Sequence, residues 1–175
     1  MKRLASQETR TYFVSSTTFG RRSVFQSVRL ANMFLDVLQS DRTKGRYRVH
    51  EFVLMPNHFH AIITPAHEVS LEKAMQFIKG GFSFRVKKET NSKLEIWQAG
   101  YNSHNIQTAR DYDAHREYVH ENPVRARLAA RAEEYTYSSA NPAMKAFVDE
   151  RPPWLKPHLD GDEFSLALKA SAPSG

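Results

Sequence analysis

Residues 46–64 read RYRVHEFVLMPNHFHAIIT, and the fold turns on this stretch. Its two halves are dominated by β-branched, aromatic and aliphatic residues, which suit strands. Pro56 and Asn57 interrupt them, as turn residues do. The reading is two antiparallel strands, 46–55 and 57–64, joined through a tight turn at Met55-Pro56-Asn57. The apolar surroundings of the second strand predict a central place in its sheet. Side chains on a strand alternate between faces, so His58 and His60 share a face and Phe59 takes the other. Two imidazoles at i and i+2 are spaced to share one cation. The plainer reading is a histidine pair satisfied by hydrogen bonds on a sheet surface.

Working outward, residues 11–19, TYFVSSTTF, read as another strand. Ser23 is placed to cap a following helix, with Val28, Ala31, Leu35 and Leu38 at helical spacing and an end near Ser40. Ser70 opens a second helix along Leu71, Met75, Ile78 and Phe82, where Gly80-Gly81 predicts a kink or a close approach. Residues 94–98 read as a strand, and 103–107 as a possible further short one. Thr108 and Asp111 resemble a capping box for a helix over 109–122, which Pro123 should end. The order is that of an α+β, ferredoxin-like β-α-β-β-α-β plait with an antiparallel sheet, helices on one face and a further C-terminal helix. A domain over 1–140 and a proline-rich, partly acidic tail over 141–175 complete the expected organisation.

Composition narrows the chemistry. The 175 residues contain no cysteine, which excludes disulfides, thiolate zinc sites and cysteine nucleophiles. The first ten residues are polar, and no apolar run approaches the ~20 residues that cross a bilayer, so a cytoplasmic protein without a membrane partner is expected. The net charge is +6. From Asp149 onward there are five acidic and three basic residues, which leaves the first 148 at +8. A basic body of this kind attracts polyanions such as nucleic acid.

A second motif is EYVHENP, residues 117–123. Tyr118 and Asn122 are four apart and share a helical face. Tyrosine can act as a covalent nucleophile, and an amide oxygen can ligate a hard cation. Half-buried packing and an ordinary helix stop account for the same residues more plainly.

Taken together, MPNHFHAIIT, MQFIKGGFSFRVKK, IWQAGYNSHNIQ and YVHENPVRARL, in that order and spacing, resemble the REP-associated tyrosine transposases. These are a branch of the single-tyrosine HUH transposases, named for two histidines flanking a hydrophobic residue. The resemblance covers residues 10–138. It implies that His58 and His60 bind a metal, that Asn122 completes the metal site, and that Tyr118 is the nucleophile. Where the family usually has glycine, this chain has Arg127, which bears on the chain reversal after the helix.

The implied activity is cleavage and joining of single-stranded or hairpin DNA through a 5′-phosphotyrosine, with a REP-type palindrome as target. Two imidazoles and an amide leave room for water and phosphate oxygens, so magnesium or manganese fits, with zinc also acceptable. Lys79, Arg85, Lys87, Lys88, Arg125 and Arg131 are the candidate backbone contacts. Both a monomer and a dimer stay open. Two rival readings are a small metal-dependent hydrolase and a domesticated, non-cleaving DNA-binding protein. The acidic tail is expected either to dock beside the cleft, anchored by Trp154 and Leu155, or to cover apolar surface on the far side of the sheet.

Overall fold

The computed structural model describes residues 9–155. Four strands form one antiparallel sheet: β1 (Thr11–Thr17), β2 (Tyr47–Met55), β3 (His58–Pro65) and β4 (Asn102–Ile106), in the order β2-β3-β1-β4. β3 is therefore central, as its apolar composition predicts. The β2–β3 turn is limited to Pro56 and Asn57, and the register sets Val53 opposite His60 and Met55 opposite His58. Helix α1 (Val28–Thr43) and the helical stretch Leu71–Thr90 pack on one face. There Phe34, Phe52, Phe59, Ile78, Phe82 and Trp97 form the larger core. Helix α4 (Ala109–Arg125) covers the opposite face over Val53, Met55, Ile62 and Ile106. The two helical stretches of the plait thus share one face, as expected, and the further C-terminal helix takes the other.

Several boundaries differ from the sequence reading for identifiable reasons. Ser23 precedes only a short 3-10 turn and makes no side-chain cap there; the cap of α1 is Ser27, whose hydroxyl accepts from Leu30 N. Residues 94–98 form no named strand and touch the sheet by one bridge, Thr18 to Trp97. Leu94 is exposed there, whereas Trp97 is buried and donates its indole N–H to Lys79 O. The fourth strand is instead the short segment 102–106. The second helix does open at Ser70, which caps Lys73 N, as α2 (Leu71–Met75). It passes through a π-helical turn (Gln76–Gly80) into α3 (Gly81–Thr90). Gly81 marks a close approach rather than a kink, since a Cβ there would sit 3.2 Å from Val37 Cγ1 on α1.

Pro123 does not stop α4, which runs on to Arg125. Proline removes one backbone donor, but its ring is buried and the helix closes in a Schellman motif. Leu128 N donates to Pro123 O and Arg127 N to Val124 O, both at 2.9 Å. Arg127 occupies the left-handed position of that motif, with φ 59°. The reversal therefore forms with arginine where glycine would be unstrained.

After this reversal the chain returns along the free edge of β2. Leu54 N donates to Tyr137 O, Ser139 N donates to Phe52 O, and Ser138 bridges Val53. Such a cover removes an exposed strand edge.

Replacing Arg127 with glycine should relieve the left-handed backbone and raise stability by about 1 kcal/mol. Thermal unfolding should show a rise of roughly 2–4 °C for a chain of this size. An unchanged or lowered midpoint would mean that Arg127 makes compensating contacts.

Candidate active site

The site lies on the α4 face, where the β2–β3 hairpin ends. His58 and His60 project together toward α4, with ring centroids 4.9 Å apart, while Phe59 enters the core on the other side, against Phe34 and Trp97. Tyr118 descends from α4 onto His60, with ring centroids 5.2 Å apart and planes at 72°. Beneath both lies Phe13 of β1, stacked on His60 at 5.4 Å and edge-on to Tyr118 at 5.9 Å. This packing holds the phenol in place although Tyr118 is 39% exposed. The guanidinium of Arg125, two helical turns on, sits 5.5 Å from the centre of the Tyr118 ring.

Both imidazoles are held neutral. Burial pushes His60 down to about 3, and the neighbouring His58 pushes the same way. Burial also lowers His58, opposed in part by a polar contact with the Asn122 side chain and assisted slightly by Arg21. His58 Nδ1 lies 2.7 Å from Asn57 Oδ1, which orients the ring from the turn. His60 Nδ1 is buried without a hydrogen-bond partner among the described residues. A buried, neutral and unpartnered imidazole nitrogen is costly unless it has a further use.

His58, His60, Tyr118 and Asn122 thus converge. The six basic candidates do not. Arg125 alone adjoins Tyr118. Arg85 pairs with Asp36 and Glu89, and Arg131 with Glu133 and Glu134. Lys79 reaches the carbonyls of Gln98 and Gly100, and Lys87 and Lys88 lie on α3, which packs on the opposite face of the sheet. Tyr112 is no substitute nucleophile: it is 2% exposed, and burial followed by the nearby Glu51 raises its phenol far above the ordinary range.

The described part of the tail first packs Met144, Phe147 and Val148 against the core on the α1 side, then crosses the β2 edge at Asp149 and reaches the α4 face at the end of the strands away from the site. Asp149 pairs with Arg42 and accepts from Val49 N, and His50 Nδ1 lies 2.6 Å from Glu150 O. Arg151 pairs with Asp113 and stacks over Tyr112, while Leu155 is buried against Ile62, Ile106 and Tyr112. Trp154 stays largely exposed. Residues 151–155 therefore support α4 from the side, and Asp149 is committed to Arg42 of α1. Of the other acidic residues of the expected tail, Glu150 is exposed, and Asp160, Asp162 and Glu163 lie outside the described residues.

One cluster escaped the sequence reading. His104 on β4 meets Asp111 and His115 on α4, and Phe13 lies against His115 with ring centroids 4.8 Å apart and planes tilted by 45°. The signal was present as an Asp-x-x-x-His pair on one helical face, preceded by a strand histidine.

An antiparallel α+β sheet that presents a histidine pair to a tyrosine-bearing helix is the architecture of an HUH-type DNA endonuclease or transposase. The family described as "Transposase IS200 like" matches residues 8–122, and the chain belongs to it. Its role is accordingly that of a transposase, an enzyme acting on DNA. Among solved structures it is similar to a REP-associated tyrosine transposase bound to a REP hairpin, with a TM-score of 0.63 and 19% identity over 91% of this chain and 99% of that one. It also resembles a candidate transposase from Deinococcus radiodurans, with a TM-score of 0.50 and 17% identity over 70% of this chain and 97% of the other. No curated protein matches it. Among the described residues, no helix is long and apolar enough to cross a membrane.

The depressed imidazoles give a stability test. The unfolded chain takes up a proton on His60 near pH 6.5, whereas the folded chain resists until about 3. Stability tied to this group is therefore intact above pH 6.5 and lost progressively as pH falls toward 3. Relative to His60→Gln, the parent should lose up to ~1.4 kcal/mol per pH unit in that window. Denaturant unfolding at pH 7, 6, 5 and 4 would show it, and parallel pH slopes would contradict it.

Proposed function

We propose that this transposase cleaves and rejoins single-stranded DNA with Tyr118 as the covalent nucleophile and His58, His60 and Asn122 as the ligands of a divalent cation. The observation that carries the reading is the packing of the Tyr118 ring on His60, within one chain and beside His58. The chemistry of the donor set suits a cation. It offers two neutral imidazoles, one with an unpartnered buried nitrogen, and an amide side chain on the facing helix. Magnesium or manganese suits such neutral ligands when phosphate oxygens supply the rest. When bound, the ion would polarise the scissile phosphate and offset the charge that develops on it.

The protein's own groups supply positioning and the nucleophile. Phe13 and His60 pack on the Tyr118 ring and hold it beside the histidine pair. In the forward step the phenol oxygen bonds to phosphorus, and the bond from phosphorus to the 3′ oxygen breaks. The phenol loses its proton and the departing 3′ oxygen gains one. The product is a 5′-phosphotyrosine and a free 3′ hydroxyl. Attack by another 3′ hydroxyl reverses the bond changes, so the joining step conserves the phosphodiester and needs no ATP. Arg125, over the phenol ring, adds positive charge where the phosphate must sit.

The substrate class follows from access and charge: an unpaired strand can enter an open site on a sheet face, and the basic body attracts it. The similar structure holding a REP hairpin supports extending that ligand to this chain. The remaining candidate contacts, Lys79, Arg85, Lys87, Lys88 and Arg131, would then serve duplex parts of a hairpin that reach round the molecule.

Tyr118→Phe should abolish a denaturant-resistant adduct with a labelled hairpin oligonucleotide that has a single-stranded flank, while hairpin affinity changes by no more than a few-fold. His58→Ala and His60→Ala should each abolish the adduct as well, and chelation should suppress it in the parent. Cleavage without any adduct would favour a water nucleophile and a hydrolase. Binding without cleavage by the parent would favour a non-cleaving DNA-binding protein.

A further inference from the structure

Beyond Phe13, on the side away from His60, lies the cluster of His104, Asp111 and His115. His104 comes from the edge strand β4 and is half-exposed, while Asp111 and His115 stand one turn apart near the start of α4. His104 Nε2 is 2.7 Å from one Asp111 oxygen, and His115 Nδ1 is 3.0 Å from the other. The two imidazoles stack, with centroids 4.7 Å apart and planes at 17°. One ligand atom from each residue falls within 4.8 Å of the other two. Asp111 is not needed to start the helix, because Thr108 accepts from the Asp111 backbone N–H and does the capping.

Hydrogen bonding alone gives this cluster little value. Ion pairs that are partly open to water contribute at most ~1 kcal/mol, and ordering three side chains offsets much of that. As a donor set it is more specific. Two imidazoles with one carboxylate suit first-row transition ions, which bind nitrogen and oxygen at ~2.0–2.2 Å. Ligands at that distance lie roughly 3.4 Å from one another around a tetrahedral ion. The present spacing, within 4.8 Å, therefore needs closure by up to about 1.4 Å, which a rotation of the half-exposed His104 side chain on the edge strand would supply.

We propose that His104, Asp111 and His115 form a second metal site, for a zinc-type transition ion, that ties β4 to the first two turns of α4. Asp111 supplies a negative charge, so this site takes up its ion without DNA. The set at His58 has only neutral side chains and depends on phosphate oxygens to complete it. The tether acts on the helix that carries Tyr118, three residues beyond His115. Its existence does not rest on the strand-transfer reading, and either can fail without the other.

The test uses the full chain with His58→Ala and His60→Ala, and Co²⁺ as the probe. One equivalent should bind without DNA and give visible d–d absorption, Zn²⁺ should displace it, and Zn²⁺ should raise the thermal midpoint by several degrees. Adding His104→Ala should weaken Co²⁺ binding at least 10-fold and remove the Zn²⁺-dependent shift; Asp111→Asn should do the same. In the otherwise unaltered chain, His104→Ala should lower the number of bound Zn²⁺ ions by one, which serves if the double variant does not fold. No saturable uptake by a folded double variant, or uptake indifferent to His104→Ala, would overturn the proposal.

Discussion

The seating of α4 on the sheet is the constraint from which the rest follows. Tyr112 and Val119, seven residues apart on the helix, are both almost fully buried. Val119 packs with Val53 and Met55, and these are the residues that lie opposite His60 and His58 in the β2–β3 register. The same contact that buries the helix therefore sets its height over the histidines. Burying a valine side chain is worth about 1.5–3 kcal/mol, enough to hold one helix position against its neighbours one residue away. With Val119 down, Tyr118 falls on one flank over His60. Asn122, one turn on from Tyr118, comes to His58.

Neutrality of the histidines has the same origin. The hairpin places them on a central strand, beneath a helix and beside Phe13, and loss of water lowers both imidazoles. A protonated pair could not ligate a cation, whereas this one keeps its lone pairs available at neutral pH. Around this dry patch the chain spends its polar groups on support. Asp149 and Arg42 pin the returning segment, Tyr135 donates to Leu54 O, and Glu51 meets His120 and Arg116 beside the helix. The segment after residue 140 thus braces α1 first and α4 only at its described end.

The parts legible in the sequence were those governed by period or by a motif. The hairpin followed from two apolar runs broken by Pro-Asn, and the shared face of His58 and His60 followed from strand alternation. Tyr118 and Asn122 followed from helical spacing. What stayed hidden depended on partners far along the chain. Residues 94–98 have strand composition, but Trp97 spends its hydrogen bond on Lys79 O, and the sheet takes 102–106 instead. Pro123 looked like a stop because the burial of its ring and the closure through Leu128 are tertiary facts. The tail read as irregular because its order comes from contacts with α1, β2 and α4, a hundred residues back where Asp149 accepts from Val49 N. Most of the basic side chains proved to be paired or distant, which no charge count could separate from a DNA contact.

The central claim is that one chain builds the whole site, with Tyr118 over its own histidines. The direct measurement is complementation between two inactive variants, Tyr118→Phe and His58→Ala/His60→Ala, mixed in equal amounts with a labelled hairpin. The account predicts that neither variant forms an adduct alone and that the mixture forms none either. Recovery of adduct in the mixture, up to a sizeable fraction of the parent level, would contradict it, because the tyrosine would then be working on the histidines of another copy.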